Sequence, residues 1–226
     1  MNMTDTAVAQ SSSSVLATNK VIRNTYMLLS MTMVFSAITA GISMWIEPSM
    51  FAYFGSVIGS FVLIFVINKK QNSIWALPLT FLFTGLMGFG LGPLLNHYLA
   101  LPNGSDIVMT AMSMTALTFL GLSAYVLTSK KDFSFMGGFL AAGMIVVVVA
   151  IVASLVMSLM GVHISGLQLA ISSAVVLLMA GFILYDTSNI VNGTYTNYVM
   201  ATVSLYLNIY NLLVHLLALV GAFSDD

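Results

Sequence analysis

Two groups of polar residues interrupt the long apolar stretches of this sequence, and both have spacings that matter chemically. In GFILYDTSNIVNG, Asp186 stands against an apolar run and Asn189 follows one turn later on the same helical face. Downstream, Ser204, Asn208, Asn211 and His215 succeed one another at intervals of four, three and four residues. That spacing aligns them as one stripe along about three turns of helix. A polar group inside an apolar segment costs several kcal/mol when it finds no partner, so each of these residues must have one. Asp186 is either a carboxylate at the membrane boundary, hydrated or paired with a base such as Arg23, Lys69 or Lys130, or part of an ion or proton path. The stripe either hydrogen-bonds to neighbouring helices or meets a water-filled crevice. In both cases it cannot face lipid, which places its helix at the centre of a bundle. Asp186, Asn208, Asn211 and His215 are therefore the candidates for an ion pathway or a pH-sensing site, and no catalytic, metal or cofactor-binding set is expected.

Enzymatic alternatives fail on composition. Tyr185 and Asp186 form a Tyr-Asp pair like that of intramembrane aspartyl proteases, but that chemistry needs a second carboxylate to share a proton, and no other apolar stretch has an acid near its middle. Ser123 in the run Gly121, Leu122, Ser123, Ala124, with His215 far away, resembles the Ser and His of a rhomboid protease only superficially, because small residues are common in packed spans. No HExxH occurs, and His97, His163 and His215 do not cluster as metal ligands would. His97 and His163 fall in loops and read as surface residues. Cysteine is absent, which removes disulfides, thiolate metal sites and a cysteine nucleophile.

The elements that must position these residues follow from composition. Of 226 residues only 6% are charged and 59% are hydrophobic, against roughly a quarter charged in a soluble domain. A water-soluble surface cannot be built from that, and the lipid bilayer is the implied surrounding. The class is all-α, a polytopic membrane protein with seven transmembrane helices and the seventh central. The spans fall at 22 to 46, 51 to 67, 74 to 96, 107 to 128, 134 to 159, 164 to 186 and 199 to 222. Residues 1 to 19, polar and Ser-rich, read as a disordered tail, and residues 20 to 226 as one seven-helix domain. Lys20 and Arg23 precede an apolar run of spanning length, which makes that run a signal anchor rather than a cleavable signal. Gly55 and Gly59, Gly88 and Gly92, Gly137 and Ala141, and Gly138 and Ala142 are small pairs at four-residue spacing that allow close helix packing. Gly85, Gly88, Gly90, Gly92 and Pro93 crowd the end of the third span, where the backbone is expected to bend.

Charge sets an orientation. Lys20, Arg23, Lys69, Lys70, Lys130 and Lys131 all fall on one side of this arrangement, the cytoplasmic side by the distribution of basic residues. The opposite loops carry Glu47, Asp106 and His163, and the acidic end Asp225, Asp226 fits an exported C-terminus. The connection from Thr187 to Tyr198 has no basic residue, so the last segment is either a full crossing or re-entrant. A net charge of -1 and no basic run longer than two residues argue against a nucleic-acid partner.

The segments KVIRNTYMLLSMTMVFSAITA, TFLFTGLMGFGLGPLLNHYL, ALTFLGLSAYVLTSKKDFSFMGG, LYDTSNI and TNYVMATVSLYLNIYNLL resemble the Bax inhibitor-1 family, specifically its proteobacterial YccA branch, from about Lys20 to the C-terminus. The resemblance implies six helices around a central seventh, a location in the bacterial inner membrane, and association with the membrane AAA protease FtsH, as substrate and modulator, and with HflK and HflC. It also implies an alternative, a pH-sensitive calcium leak, in which two aspartates on the sixth and seventh spans share a proton. Asp186 matches the first, but the second position is Asn208, which cannot ionise, so the coupled titration of two carboxylates is lost. One carboxylate with amide oxygens also makes a poor calcium site. Protease modulation therefore ranks ahead of calcium leakage.

Overall fold

A computed structural model describes residues 3–162, 164 and 166–224, with side chains from Leu16 onward. The described residues form seven long helices and no strand: α1 (Met3–Ile46), α2 (Met50–Lys70), α3 (Ala76–Leu99), α4 (Gly104–Ser129), α5 (Gly137–Leu159, after a 3-10 turn at Ser134–Met136), α6 (Leu167–Val191) and α7 (Tyr198–Ser224). All seven are long and apolar enough to cross a membrane. Helix α7 is unbroken over 27 residues, long enough for a full crossing. His163, Asp225 and Asp226, which the sequence assigns to a surface loop and an acidic end, lie outside the described residues.

Two boundaries differ from expectation. Helix α1 begins at Met3, in the stretch read as a disordered tail, and its membrane-spanning part begins at Leu16. Neither Pro nor Gly occurs between Met3 and Ala40, so no residue in that stretch forces the helix to stop. Helix α6 runs to Val191 rather than ending at Asp186. The other ends have local causes. Glu47 turns the chain with φ 51 before Pro48, and Ser49 caps α2, its Oγ accepting the Ala52 N–H at 3.4 Å. Lys130, at φ 52, ends α4 with its N–H on the Val126 carbonyl at 2.8 Å.

The chain divides into two compact units. The first comprises Met1–Gly92 and Asp186–Tyr206, the second Pro93–Tyr185 and Leu207–Asp226. Helices α3, α6 and α7 each run from one unit into the other.

In the first unit α1 and α3 meet closely. A Cβ on Gly88 would collide with the backbone oxygen of Ser36, and one on Gly92 would lie 2.5 Å from Ser43 Oγ, so this small pair does pack helix on helix. Pro93 has no N–H to give the Phe89 carbonyl one turn back. The Ser43 hydroxyl donates to that carbonyl instead, at 2.6 Å. Ser36 Oγ and Tyr206 OH are hydrogen-bonded at 2.6 Å, Tyr206 OH also donates to the Thr84 carbonyl at 3.3 Å, and the Tyr206 ring meets Phe83 edge-on. Of the other small pairs here, Gly59 touches Leu86 while Gly55 faces open space.

The second unit is closed by an aliphatic cluster in which Ile107 and Ala111 of α4, Leu140 of α5, Ile183 of α6 and Leu212 and Leu217 of α7 are buried. Gly137 lies against Tyr185, Gly143 against Leu178 and Gly181 against Leu140, while Gly138 faces open space. Helix α7 is buried or half-buried along its described length apart from Phe223, as the polar stripe requires. All six basic side chains are exposed, and Lys131 is hydrogen-bonded to Tyr125, which pushes its pKa up.

Candidate functional site

Asp186 is 1% exposed, so the boundary carboxylate open to water is not what the structure shows. The reason is the extra length of α6 and the loop that follows it. After Asp186 the helix continues through Thr187, Ser188 and Asn189, all buried, to Val191. Asn192 and Gly193 then end it. The Asn192 N–H donates to the Ser188 carbonyl at 2.8 Å, and Gly193 adopts φ +76, a conformation that favours glycine. The loop doubles back, with the Tyr195 N–H on the Asn189 carbonyl at 3.1 Å. This return puts the Tyr195 hydroxyl on Asp186 Oδ1 at 3.1 Å. Ser204 of α7 donates to the other oxygen, Oδ2, at 2.6 Å.

Asn197 sets the start of α7. Its Oδ1 accepts the N–H groups of Val199 at 2.9 Å and Met200 at 3.2 Å, satisfying two donors that the helix cannot pair itself. Its Nδ2 donates to the Gln71 carbonyl at 3.0 Å and to Asn72 Oδ1 at 2.9 Å, which ties the α6–α7 loop to the α2–α3 loop. Between these loops lies a cavity of about 500 Å³, lined in part by Gln71, Asn72, Ser73, Thr196, Asn197 and Tyr198. Helix α1 adds two further polar contacts. Tyr26 OH lies 3.4 Å from Thr187 Oγ1, and Thr202 Oγ1 donates to the Thr25 carbonyl at 3.2 Å.

The stripe on α7 does not act as one array. Ser204 joins Asp186 in the first unit, whereas Asn208, Asn211 and His215 belong to the second. Asn208 is buried. Asn211 is half-buried, and its Nδ2 donates to the Leu207 carbonyl of its own helix at 2.8 Å. His215 Nδ1 pairs with Ser172 Oγ of α6 at 3.1 Å, an interhelical bond to a residue that sequence reasoning passed over. Ser123, set beside His215 in the sequence argument, is buried in α4. Tyr185 packs on Gly137 in the second unit while Asp186 belongs to the first, so the adjacent pair divides its contacts. His97 is exposed, in the last turn of α3 rather than in a loop.

Among the described residues no three His, Asp or Glu side chains come together as a metal site. The arrangement at Asp186 is a buried carboxylate with a hydroxyl donor on each oxygen, one from a helix and one from a loop. Sequence reasoning found the acid and Ser204 but missed Tyr195 and Asn197. The Asn192-Gly193 dipeptide was the available signal, because it marks a reversal that brings the next residues back along α6.

Comparison with known proteins is consistent with this architecture. A family model described as "Inhibitor of apoptosis-promoting Bax1" matches residues 18–225. The chain is 50% identical to a membrane protein of Vibrio cholerae over 93% of each chain. It is 45% identical over 94% of each chain to the modulator of FtsH protease YccA of Escherichia coli K12, and to the same extent to the inner membrane protein YccA of Escherichia coli O6:H1. With the family match extending over nearly all of a chain of seven apolar helices, this protein belongs to the Bax inhibitor-1 family.

Proposed function

We propose that this chain is an integral inner-membrane regulatory protein that modulates the membrane protease FtsH and is itself a substrate of it. The observation that carries this reading is 45% identity over 94% of both chains to a protein named as the modulator of FtsH protease. In this reading the protein acts by binding, through helices presented to lipid and loops presented to water. HflK and HflC are its further partners by the resemblance. The N-terminus is cytoplasmic, because all six basic residues segregate to one side under seven crossings. The C-terminus is then periplasmic.

Purification from native membranes in mild detergent tests the partnership. FtsH should co-elute with the tagged chain and be absent when an unrelated seven-helix protein is tagged. Its absence from both would remove the reading. The calcium-leak alternative is disfavoured by Asn208 at the position of the second aspartate. Calcium flux into vesicles reconstituted with the chain should match that of empty vesicles, and Asn208→Asp should raise it if the residue has disabled an inherited leak.

A further inference from the structure

We propose that Tyr195 is a lid over Asp186, and that Asn197 is the strap that holds this lid shut, so that movement of the α6–α7 loop decides whether water and dissolved solutes reach the buried carboxylate. The loop is built as a cover. Its ends are fixed by the end of α6 and the cap of α7, and only between them does the chain fold back. Asn192, Thr194 and Thr196 are exposed, while Tyr195, between the two threonines, is half-buried with its hydroxyl on Asp186 Oδ1 at 3.1 Å. One side chain therefore joins a solvated loop to a carboxylate that is 1% exposed.

Polar contacts help to hold the lid. The Tyr195 N–H bonds to the Asn189 carbonyl, and Asn197 bonds to the α2–α3 loop through its two amide protons. On its other flank the loop rests on α1, where a Cβ on Gly193 would lie 3.1 Å from Thr18 Oγ1. A loop with exposed residues on either side of Tyr195, held by polar contacts of this kind, belongs to the low-stability end of a structure. The bond from Ser204 is different in kind, because it comes from within α7 and does not depend on the loop.

Modification of Asp186 tests this in the full-length chain in lipid nanodiscs. The probe is a water-soluble carbodiimide with glycine ethyl ester, and the conversion of Asp186 is followed by mass spectrometry. Tyr195→Ala, which removes the lid, should label roughly ten times faster than the parent, the factor expected from losing one or two modest hydrogen bonds. Asn197→Asp should also accelerate labelling. It keeps the oxygen that caps α7 but loses both donors to the α2–α3 loop, which makes it the informative variant if Tyr195→Ala does not fold. Ser204→Ala removes a hydrogen bond from the same carboxylate without touching the loop, and its labelling should stay within about twofold of the parent. Unchanged rates in Tyr195→Ala and Asn197→Asp, or equal acceleration in Ser204→Ala, would overturn the proposal.

Discussion

Among the described residues, thirteen of the seventeen buried polar side chains lie in the first unit, the other four being Thr115, Ser123, Ser172 and Asn208; the aliphatic cluster lies wholly in the second. The two regions sit in one membrane protein and are built on different principles. Lipid chains are as apolar as leucine, so burying leucine against leucine gains packing but little transfer free energy. A hydroxyl that bonds to a neighbouring helix gains something that lipid cannot supply. The first unit uses this repeatedly, in Ser36 with Tyr206, Ser43 with the Phe89 carbonyl and Ser204 with Asp186, and its glycines allow the approach that such short side chains need. The second unit relies on shape. What the contrast teaches is where a buried acid can be kept: beside hydroxyl donors, in the unit already organised around them.

Overpacking should separate the two regions most sharply. Gly88→Leu drives a side chain into the backbone of α1 and should cost more than about 3 kcal/mol, abolishing a cooperative melt. Gly138→Leu, where nothing lies within contact distance, should melt as the parent does. In the second unit Leu212→Ala leaves a cavity in the aliphatic cluster. Because the transfer gain is small in lipid, its cost should fall near the lower end of the usual range, about 2 kcal/mol, read from thermal unfolding in detergent. A loss as large as that of Gly88→Leu would mean that the two units are less different than their side chains suggest.

Ser43 offers a finer test. Ser43→Ala orphans the Phe89 carbonyl and should cost about 1–2 kcal/mol. Pro93→Ala restores an N–H one turn along, so in that background the same substitution should cost much less, and equal costs in the two backgrounds would refute the compensation. The smallest effect is expected at Thr25, whose Oγ1 is fully buried without a hydrogen-bond partner. Thr25→Val should be neutral or stabilise by up to about 1 kcal/mol, since it removes a desolvated group that gains nothing in return. Thr202→Val, which deletes the bonds to the Thr25 and Tyr198 carbonyls, should destabilise.

Much of this was legible in the sequence, for physical reasons that also mark the limits. The seven spans show because a membrane crossing needs a long apolar run, and their ends agree with the helices to within a few residues except at α1 and α6. There hydropathy marks where lipid contact stops, not where the helix stops. The enclosure of α7 shows because its polar stripe cannot face lipid. That the stripe divides between two units does not show, because helical spacing says which residues share a face and not what each one meets. Pro93 announces an orphan carbonyl at Phe89, but nothing local names Ser43 as its donor, which lies 46 residues earlier. Tyr195 was hidden for the same reason: a tyrosine in a polar loop looks like surface until the turn at Gly193 brings it back over Asp186.

The central claim, that this chain modulates FtsH, is tested most directly by the lifetime of another FtsH substrate in cells producing increasing amounts of the protein. A pulse-chase of that substrate should show its half-life lengthening with the amount of this chain, and lengthening further when residues 4 to 16, an end by which the protease can grip the chain, are deleted while Lys20 and Arg23 are kept. A half-life unchanged at every level of the intact and shortened chains, in cells where FtsH is active, would contradict the account.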